Sequence, residues 1–347
     1  MKISNLRATQ PDTPGSPADW RTQLGQIVVE VTTDDGIAGI GVGGGGAAGV
    51  HIIQTVLADL LVGRDAEDVE NLHAEMFRHT SFYGRVGLVV MAISGVDLAL
   101  WDLRGKSRDS SVARLLNRDV DIEKPLPTYL TVFDDAEAIA AIRGGHRAIK
   151  LHVERFGDRP DPNQIAQLVA DTRASLGDDA EIMIDAFARW DLETSLAVAK
   201  AIAPYRVAWL EEPLPPEEVA GYQVLERESP TPIAGGEHEY GAASFQEIAE
   251  QRRHVVLQPD INWCGGMTTL VQIYQIAAQH NLRVCPHRGC EPFALPAIAA
   301  LDSQPLAESP RKWFKCLEGA AQICDGVIRL NVAAGFGVSV DPAVWRD

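Results

Sequence analysis

The sequence lacks the features that direct a protein to a membrane, to an oxidising compartment or to a nucleic acid. No apolar run reaches the length that spans a bilayer, and the start, MKISNLRATQ, has no secretory core. The five cysteines are odd in number and contain no CxxC pair, which favours reduced thiols in the cytoplasm. Lys and Arg form no cluster, and the formal net charge is −17, so a nucleic acid would be repelled. We expect neither a membrane nor a nucleic acid as a partner.

A nucleotide-binding loop is missing as well. The glycine-rich run GVGGGGAAG at 41–49 lacks the Lys-Ser/Thr ending and the strand-turn-helix register of a phosphate-binding loop. We interpret this run as a flexible flap over the mouth of a barrel.

The composition is that of a globular chain with a large core, since 46% of the residues are hydrophobic and 23% are charged. Its 347 residues suffice for one barrel of about 200 to 250 residues and a smaller module. Residues 1–43 predict antiparallel strands with a hairpin at the turn DDG, and residues 51–117 predict helices. The helix GLVVMAISGVDLALWDLRGKSRD is apolar almost all round, so we expect it to lie buried between the modules.

From about residue 125, short apolar runs alternate with segments of helical periodicity. Such runs suit strands that helices cover on both faces of a parallel sheet, and a closed (β/α) barrel is the leading architecture. Five successive runs break off at a carboxylate or a histidine, at intervals of 23 to 27 residues. One strand, one helix and two loops fill each interval, so these side chains would meet at one mouth of the barrel. The residues are Asp185, Glu211, Glu237, Asp260 and His287.

Asp185, Glu211 and Glu237 would place three carboxylates at neighbouring strand ends. Their uncompensated repulsion would cost on the order of several kcal/mol, so a cation is expected among them. Hard oxygen ligands without Cys or paired His favour Mg²⁺ over Zn²⁺. We predict a Mg²⁺ site that keeps positions open for substrate oxygens.

The expected acid/base groups lie on the remaining strands. Asp260 and His287 suit a dyad, because the carboxylate fixes the imidazole tautomer and raises its basicity. Lys150 and His152 are two residues apart on the strand HRAIKLHV and would face the same mouth. Lys150 would neutralise a substrate carboxylate or an enolate oxygen, and His152 would contact or protonate the substrate. Glu318, on the predicted last strand WFKCLEG, would donate a hydrogen bond if it keeps its proton.

The motifs IDAF, WLEEP, GGEH, LQPD and CPH, with SGVDLALWDLRGKSRDSSVARLLNR upstream, resemble the mandelate racemase subgroup of the enolase superfamily over nearly the whole chain. The resemblance implies a modified (β/α)7β barrel at 123–324. It also implies an N-terminal α+β capping domain at 1–122, which the tail at about 325–347 completes. The superfamily's Mg²⁺ ligands and acid/base dyad carry over to Asp185, Glu211, Glu237, Asp260 and His287.

Other positions match the family pattern less closely. The first Lys of the family's Lys-x-Lys strand falls on Lys150, whereas His152 replaces the second, and Glu318 matches the acid of the last strand. GEHEYG and QPDINWCGGMTTLVQI are most similar to the rhamnonate dehydratases, but the segment HRGCEPF departs from their pattern after the catalytic His. The candidate substrate contacts are His79, beside SFYGR in a predicted loop, Arg288 and Glu212.

We therefore expect a Mg²⁺-dependent dehydratase of a sugar acid such as L-rhamnonate. The proton α to the carboxylate leaves, an enediolate is stabilised, and loss of the β-hydroxyl gives a 2-keto-3-deoxy acid. Whether His287 or one of Lys150 and His152 removes the proton stays open. The alternatives are a racemase or epimerase on the same scaffold and a non-catalytic protein that binds sugar acids or metal. A homo-oligomer, a dimer or an octamer, is expected.

Overall fold

The computed structural model describes residues 1–12, 19–311 and 315–345. Part of the predicted strand WFKCLEG lies outside these residues. The described chain folds into an N-terminal module of strands and helices, a barrel, and a C-terminal tail that contacts both.

The N-terminal module combines an antiparallel sheet with helices. Its elements are β1 (Ile3–Thr9), α1 (Trp20–Gln23), β2 (Ile27–Thr33), β3 (Ala38–Gly43), α2 (Gly46–His51), α3 (Ala58–Leu61), α4 (Val69–Thr80), α5 (Leu88–Ser107) and α6 (Val112–Leu116), with a π-helical stretch, Ile52–Leu57, between α2 and α3. The sheet order is β1-β2-β3. The predicted hairpin is confirmed, because Gly36 adopts φ +88° and its N–H donates to the Thr33 carbonyl at 3.0 Å.

The glycine-rich run is tightly packed, which corrects the predicted flap. Residues 41–46 are buried. Strand β3 lies so close to α5 that a Cβ atom on Gly39 or Gly41 would overlap the carbonyl oxygens of Ala99 or Gly95. The glycines therefore allow a strand and a helix to meet. Every residue of α5 from Ala92 to Gly105 is buried, as its apolar sequence predicts.

Eight parallel strands and seven helices form the barrel. Its elements are β4 (Leu126–Val132), α7 (Asp135–Arg143), β5 (Ala148–His152), α8 (Pro162–Leu176), β6 (Glu181–Asp185), α9 (Leu192–Ile202), β7 (Leu210–Glu211), α10 (Val219–Glu228), β8 (Ile233–Gly235), α11 (Gly241–Gln251), β9 (Val256–Leu257), α12 (Gly266–His280), β10 (Arg283–Val284), α13 (Leu295–Leu301) and β11 (Ala307–Glu308). The sheet order is β10-β9-β8-β7-β6-β5-β4-β11. This alternation confirms the expected (β/α)7β fold.

Local sequence explains where several barrel helices begin. Asp134, Asp161 and Asp191 stand before α7, α8 and α9, and each side chain accepts a hydrogen bond from a backbone N–H of the first turn at 2.8 to 2.9 Å. Such N-caps satisfy donors that have no partner inside the helix. Strand and helix therefore alternate at the positions that the sequence predicts.

The barrel interior is one apolar cluster to which every strand contributes. Each member lies on its strand or directly beside it, so the eight strands surround one common core. In the segment after β10, the Cys290 N–H donates to the Glu308 carbonyl of β11 at 2.8 Å. The cluster consists of Tyr129, Ala148, Met183, Trp209, Ala234, Val256, Cys285 and Leu306.

The tail corrects the expected position of the last barrel strand. Glu318 is exposed on β12 (Leu317–Glu318), which pairs antiparallel with β14 (Ser339–Val340) outside the barrel. The acid that ends the last barrel strand is Glu308, because β11 pairs in parallel with β4. Strand β13 (Val327–Ile328) pairs antiparallel with β4.

The tail also reaches the N-terminal module. The Phe336 N–H donates to Asp102 on α5 at 2.8 Å, and Val340 packs on Val28 and Ile40. The domain boundaries at 122 and 325 themselves stay a prediction. Among the helices of the described ranges, each is too short or too polar to cross a membrane.

Candidate active site

Three strand ends converge on the ammonium group of Lys150. This side chain is fully buried on β5, and its Nζ lies 2.5 Å from Glu211 Oε1, 2.9 Å from Glu308 Oε1 and 3.3 Å from Asp185 Oδ2. The parallel register explains the convergence, because His152, Asp185 and Glu211 are paired across β5, β6 and β7. Asp185 and Glu211 therefore face one cation from adjacent strands.

Burial and like charge perturb this cluster. Burial, and then the neighbouring carboxylates, raise the pKa of Glu211 to about 8, although Lys150 opposes the rise. Burial would lower the pKa of Lys150, but the same carboxylates outweigh it and hold that pKa well above its usual value. A charged Lys150 alone would favour an ionised Glu211, but burial and the other carboxylates outweigh this effect on the pKa of Glu211. We conclude that Lys150 is charged and that its single charge does not offset the carboxylates around it.

His287 and Asp260 form the expected pair. His287 Nδ1 lies 3.0 Å from Asp260 Oδ2, and both side chains are buried. Because an ionised carboxylate can only accept, Nδ1 carries the hydrogen, and Nε2 faces Glu237 Oε2 at 3.0 Å. Burial lowers the pKa of His287, but Glu237 and Asp260 outweigh it and raise the pKa to about 10. His287 is therefore an imidazolium held between two carboxylates.

Sequence reasoning missed the cation that holds Asp260 from its other side. Arg311 is buried, donates to Asp260 Oδ2, and lies 2.6 Å from Glu291 Oε2. Asn262 donates to the same Glu291 oxygen at 3.0 Å. Burial would raise the pKa of Asp260, but Arg311 and then His287 lower it. Arg311 stands outside any strand or helix pattern, so only the contact across the barrel reveals it.

Gln258 and Glu308 were missed as well. Gln258 Nε2 donates to Glu211 Oε2 at 2.6 Å, which orients that carboxylate. Burial alone would raise the pKa of Glu308, but Lys150 and His287 outweigh it and lower that pKa to about 2. The motif LQPD contains Gln258, so a polar residue directly after an apolar strand was the available signal. Glu308 takes the position that was expected for Glu318.

His152 lies at the mouth as predicted, whereas His79 differs from its expected setting. His152 lies between the rings of Phe133 and Phe187, each at a centroid distance of 5.2 Å, and its Nε2 is 4.0 Å from Asp185 Oδ2. The structure thus brings His152 to the mouth beside the Lys150 cluster. His79 is exposed in the last turn of α4 instead of in a loop, with the exposed Phe82 nearby in sequence.

Arg288 and Glu212, the other candidate substrate contacts, form hydrogen bonds with residues at the barrel mouth. The Arg288 N–H donates to Glu308 Oε2 at 2.8 Å. Glu212 is buried, adopts φ +36°, and its Oε2 lies 2.7 Å from His238 Nδ1. With Glu237, these two residues form a group of three ligand atoms within 4.8 Å of one another. That group, among the described residues, differs from the predicted set Asp185, Glu211 and Glu237.

The donor set fits a hard divalent cation in charge and in ligand type. Besides Asp260, which Arg311 also pairs, four carboxylates contact Lys150 or His287, and these six groups carry two more negative than positive charges when all are ionised. A bound cation would offset both the burial and the neighbouring carboxylates that raise the pKa of Glu211. Oxygen ligands suit Mg²⁺. The carboxylates are Asp185, Glu211, Glu237 and Glu308, and the cations are Lys150 and His287.

A capped (β/α)7β barrel with a buried lysine, a His–Asp pair and clustered carboxylates at one mouth defines an enzyme. Residues 134–344 match the family described as "Enolase C-terminal domain-like". Residues 19–117 match "Mandelate racemase / muconate lactonizing enzyme, N-terminal domain". The chain belongs to the mandelate racemase and muconate lactonizing enzyme family of the enolase superfamily, as its motifs predict.

Similar proteins include several dehydratases. The chain is 34% identical over 334 residues to L-rhamnonate dehydratase of Saccharopolyspora erythraea, covering 92% of this chain and 84% of that protein. The structure of rhamnonate dehydratase from Gibberella zeae complexed with Mg is 26% identical, with a TM-score of 0.86 and coverage of 99% and 95%. L-Talarate dehydratase from Polaromonas sp. JS666, complexed with Mg and L-glucarate, is 26% identical, with a TM-score of 0.87 and coverage of 99% and 96%.

Proposed function

We propose that this chain is a Mg²⁺-dependent dehydratase of a sugar acid. The observation that carries the proposal is the pairing of His287 with Asp260 beside the Lys150 carboxylate cluster. The relatives named as dehydratases support this reaction class, and the complex with L-glucarate supports an acid sugar as the substrate class. L-Rhamnonate or a related aldonate is the expected substrate. We also infer a cytoplasmic homo-oligomer.

Asp185, Glu211 and Glu237 are the residues that would hold Mg²⁺. The bound ion would supply positive charge to a carboxylate substrate whose α-proton is being removed. Glu237 is the main opposite charge that raises the pKa of His287, so a cation on Glu237 would free Nε2 for the substrate. Lys150 would then be released in part from Glu211 to hold a substrate oxygen.

Residues of the chain act at the substrate carboxylate and at the leaving hydroxyl. Lys150 neutralises the substrate carboxylate, so the α-carbon becomes more acidic. A base takes the α-proton, and the electron pair of that C–H bond forms the new double bond while the β-carbon–oxygen bond breaks. His287, as an imidazolium, gives its Nε2 proton to the departing hydroxide, which leaves as water. The resulting enol takes one proton at the former β-carbon and gives up its hydroxyl proton to solvent, and so becomes the 2-keto-3-deoxy acid.

A substrate library tests the proposal. Purified chain with Mg²⁺ is mixed with aldonic and aldaric acids in D₂O, and products are followed by NMR. We expect a 2-keto-3-deoxy acid with one deuteron at C3. Recovered substrate with α-deuterium and inverted configuration, without keto acid, would instead establish a racemase. Absence of turnover with every acid would favour a binding protein and refute the proposal.

A substitution at His287 tests whether the His287–Asp260 dyad carries out the proton transfer. His287→Asn should abolish product while calorimetry still detects Mg²⁺ binding, because His287 is not among the proposed ligands. His280→Asn, at the far end of α12, is the matched control and should keep turnover. Product formation by His287→Asn would contradict the assignment.

A further inference from the structure

The two modules meet at the segment that carries the dyad carboxylate. This dyad segment, residues 260–268, runs from Asp260 after β9 into the first turn of α12. Helices α4 and α5 of the N-terminal module pack on its second half. The contacts are buried on both sides. Asp260 is the member of this segment that belongs to the dyad. The contacts at the other end of the segment involve no dyad residue.

Four side chains of the N-terminal module form hydrogen bonds with the second half of the dyad segment, and two of them bind Gly265. Ser94 Oγ accepts from the Gly265 N–H at 2.9 Å while donating to the Val90 carbonyl. His73 Nε2 lies 3.1 Å from the Gly265 carbonyl oxygen, which can only accept, so this nitrogen carries the hydrogen. Both backbone groups of Gly265 are therefore bonded by the other module.

Asp97 holds the next turn. Its Oδ2 accepts from the Thr268 N–H at 2.9 Å, and its Oδ1 accepts from the Thr268 hydroxyl at 2.6 Å. Trp101 Nε1 donates to that hydroxyl oxygen at 2.9 Å. An acidic side chain of α5 thus satisfies the start of α12 in the way that a local N-cap would.

Two adjacent glycines make this close approach possible. Gly265 and Gly266 adopt φ +121° and +80°, where L side chains are strained. A Cβ atom on Gly266 would overlap the carboxylate of Asp97, and one on Gly265 would overlap the hydroxyl of Thr269. The WCGG sequence therefore fits the segment to this contact.

The held end is rigidly linked to the catalytic end. The carbonyl of Asp260 accepts from the N–H groups of Trp263 and Cys264 at 2.9 and 2.7 Å, and its Oδ1 accepts from the Asn262 N–H at 2.9 Å. Cys264 immediately precedes the clamped Gly265. A shift at Gly265 would therefore pass through one tight turn to Asp260, and His287 would move with its partner.

We propose that Ser94, Asp97 and His73 are positioning residues for the Asp260–His287 dyad. They act through the dyad segment and touch neither substrate nor dyad. The effect on catalysis rests on the proposed function. The clamp, meaning the hydrogen bonds of these three side chains to Gly265 and Thr268, is a property of the fold. It makes the N-terminal module part of the acid/base geometry.

Two pairs of buried variants separate positioning from general stability. Ser94→Ala removes the acceptor of the Gly265 N–H, and Ser195→Ala removes a buried hydroxyl of α9 that donates to the carbonyl of Asp191, the residue before that helix. Asp97→Asn weakens the contact with Thr268. Asp102→Asn changes an equally buried carboxylate of α5, which binds the backbone of Ile40 and Phe336 instead.

Hydrogen exchange read by mass spectrometry and steady-state kinetics are measured on the full chain with Mg²⁺. For Ser94→Ala and Asp97→Asn we expect exchange of the amides at 263–268 to become about tenfold faster. We also expect kcat to fall by about ten- to hundredfold with little change in KM, since small misplacement of an acid/base group acts on the chemical step. The Ser195→Ala and Asp102→Asn controls should leave both quantities near wild type.

The outcomes separate the clamp from the reaction. Unchanged exchange at 263–268 in Ser94→Ala and Asp97→Asn would overturn the clamp. Faster exchange with unchanged kcat, or an equal loss of kcat in the controls, would overturn its positioning role. A wild-type chain without turnover would refute the proposed function, and the exchange comparison would still decide whether the clamp exists.

Discussion

Replacing Arg311 by Met is the sharpest test of the electrostatics at the dyad. The variant keeps an unbranched side chain but removes the guanidinium, leaving the buried carboxylates of Asp260 and Glu291 without their shared cation. Removing one partner of a buried ion pair typically costs about 3 to 5 kcal/mol, because the charge left behind stays desolvated. Asp260 keeps His287 as a partner, so the largest uncompensated charge is on Glu291.

A second change, at Glu291, should restore part of this loss of stability. Arg311→Met with Glu291→Gln should recover about 1 to 3 kcal/mol, since a neutral amide costs less to bury than an unpaired carboxylate. Arg159→Met is the control, because its pair with Asp191 is mostly exposed and is worth at most about 1 kcal/mol. The free energy of unfolding is measured in urea. A loss in Arg311→Met as small as in the control, or no recovery in the double variant, would show that an unpaired charge on Glu291 does not destabilise the protein.

Three further outcomes are expected. Gly41→Ala should lower the free energy of unfolding by about 1 to 3 kcal/mol, because a methyl group would press on the Gly95 carbonyl; an unchanged urea midpoint would contradict this. Burial lowers the pKa of His254 to about 3. The stability that comes from burying this imidazole in its neutral form is therefore fully present above pH 6.5, and the free energy of unfolding falls by about 1.4 kcal/mol per pH unit as the pH drops from 6.5 towards 3. His254→Gln should therefore flatten the pH dependence of stability between pH 6 and 4, and parallel curves would count against it. Glu211→Gln should abolish the calorimetric heat of Mg²⁺ binding, and wild-type heat would remove Glu211 from the ligand set.

Periodic sequence patterns predicted the elements, and the ends of those elements predicted much of the site. Asp185, Glu211, Asp260 and His287 each follow an apolar run, and parallel pairing brings those ends to one mouth. The metal ligand set could not be predicted to the atom, because side-chain direction at a strand end depends on which opposite charge lies nearest. In the structure Glu237 faces His287 while Glu211 faces Lys150.

Local periodicity was enough to predict the alternation of strand and helix, the buried α5 and the residues that end the strands. The place of Glu308, rather than Glu318, at the end of the last barrel strand depends on long-range pairing with β4, since β11 has two residues and too few positions to show a pattern. Likewise, the glycine-rich run is a packing surface because α5 lies against it, and Gly41 meets Gly95, which is 54 residues further along the chain (95 − 41). Arg311 binds Asp260 across 51 residues of chain. Contacts between distant residues leave no local trace, so they appear only when the chain is folded.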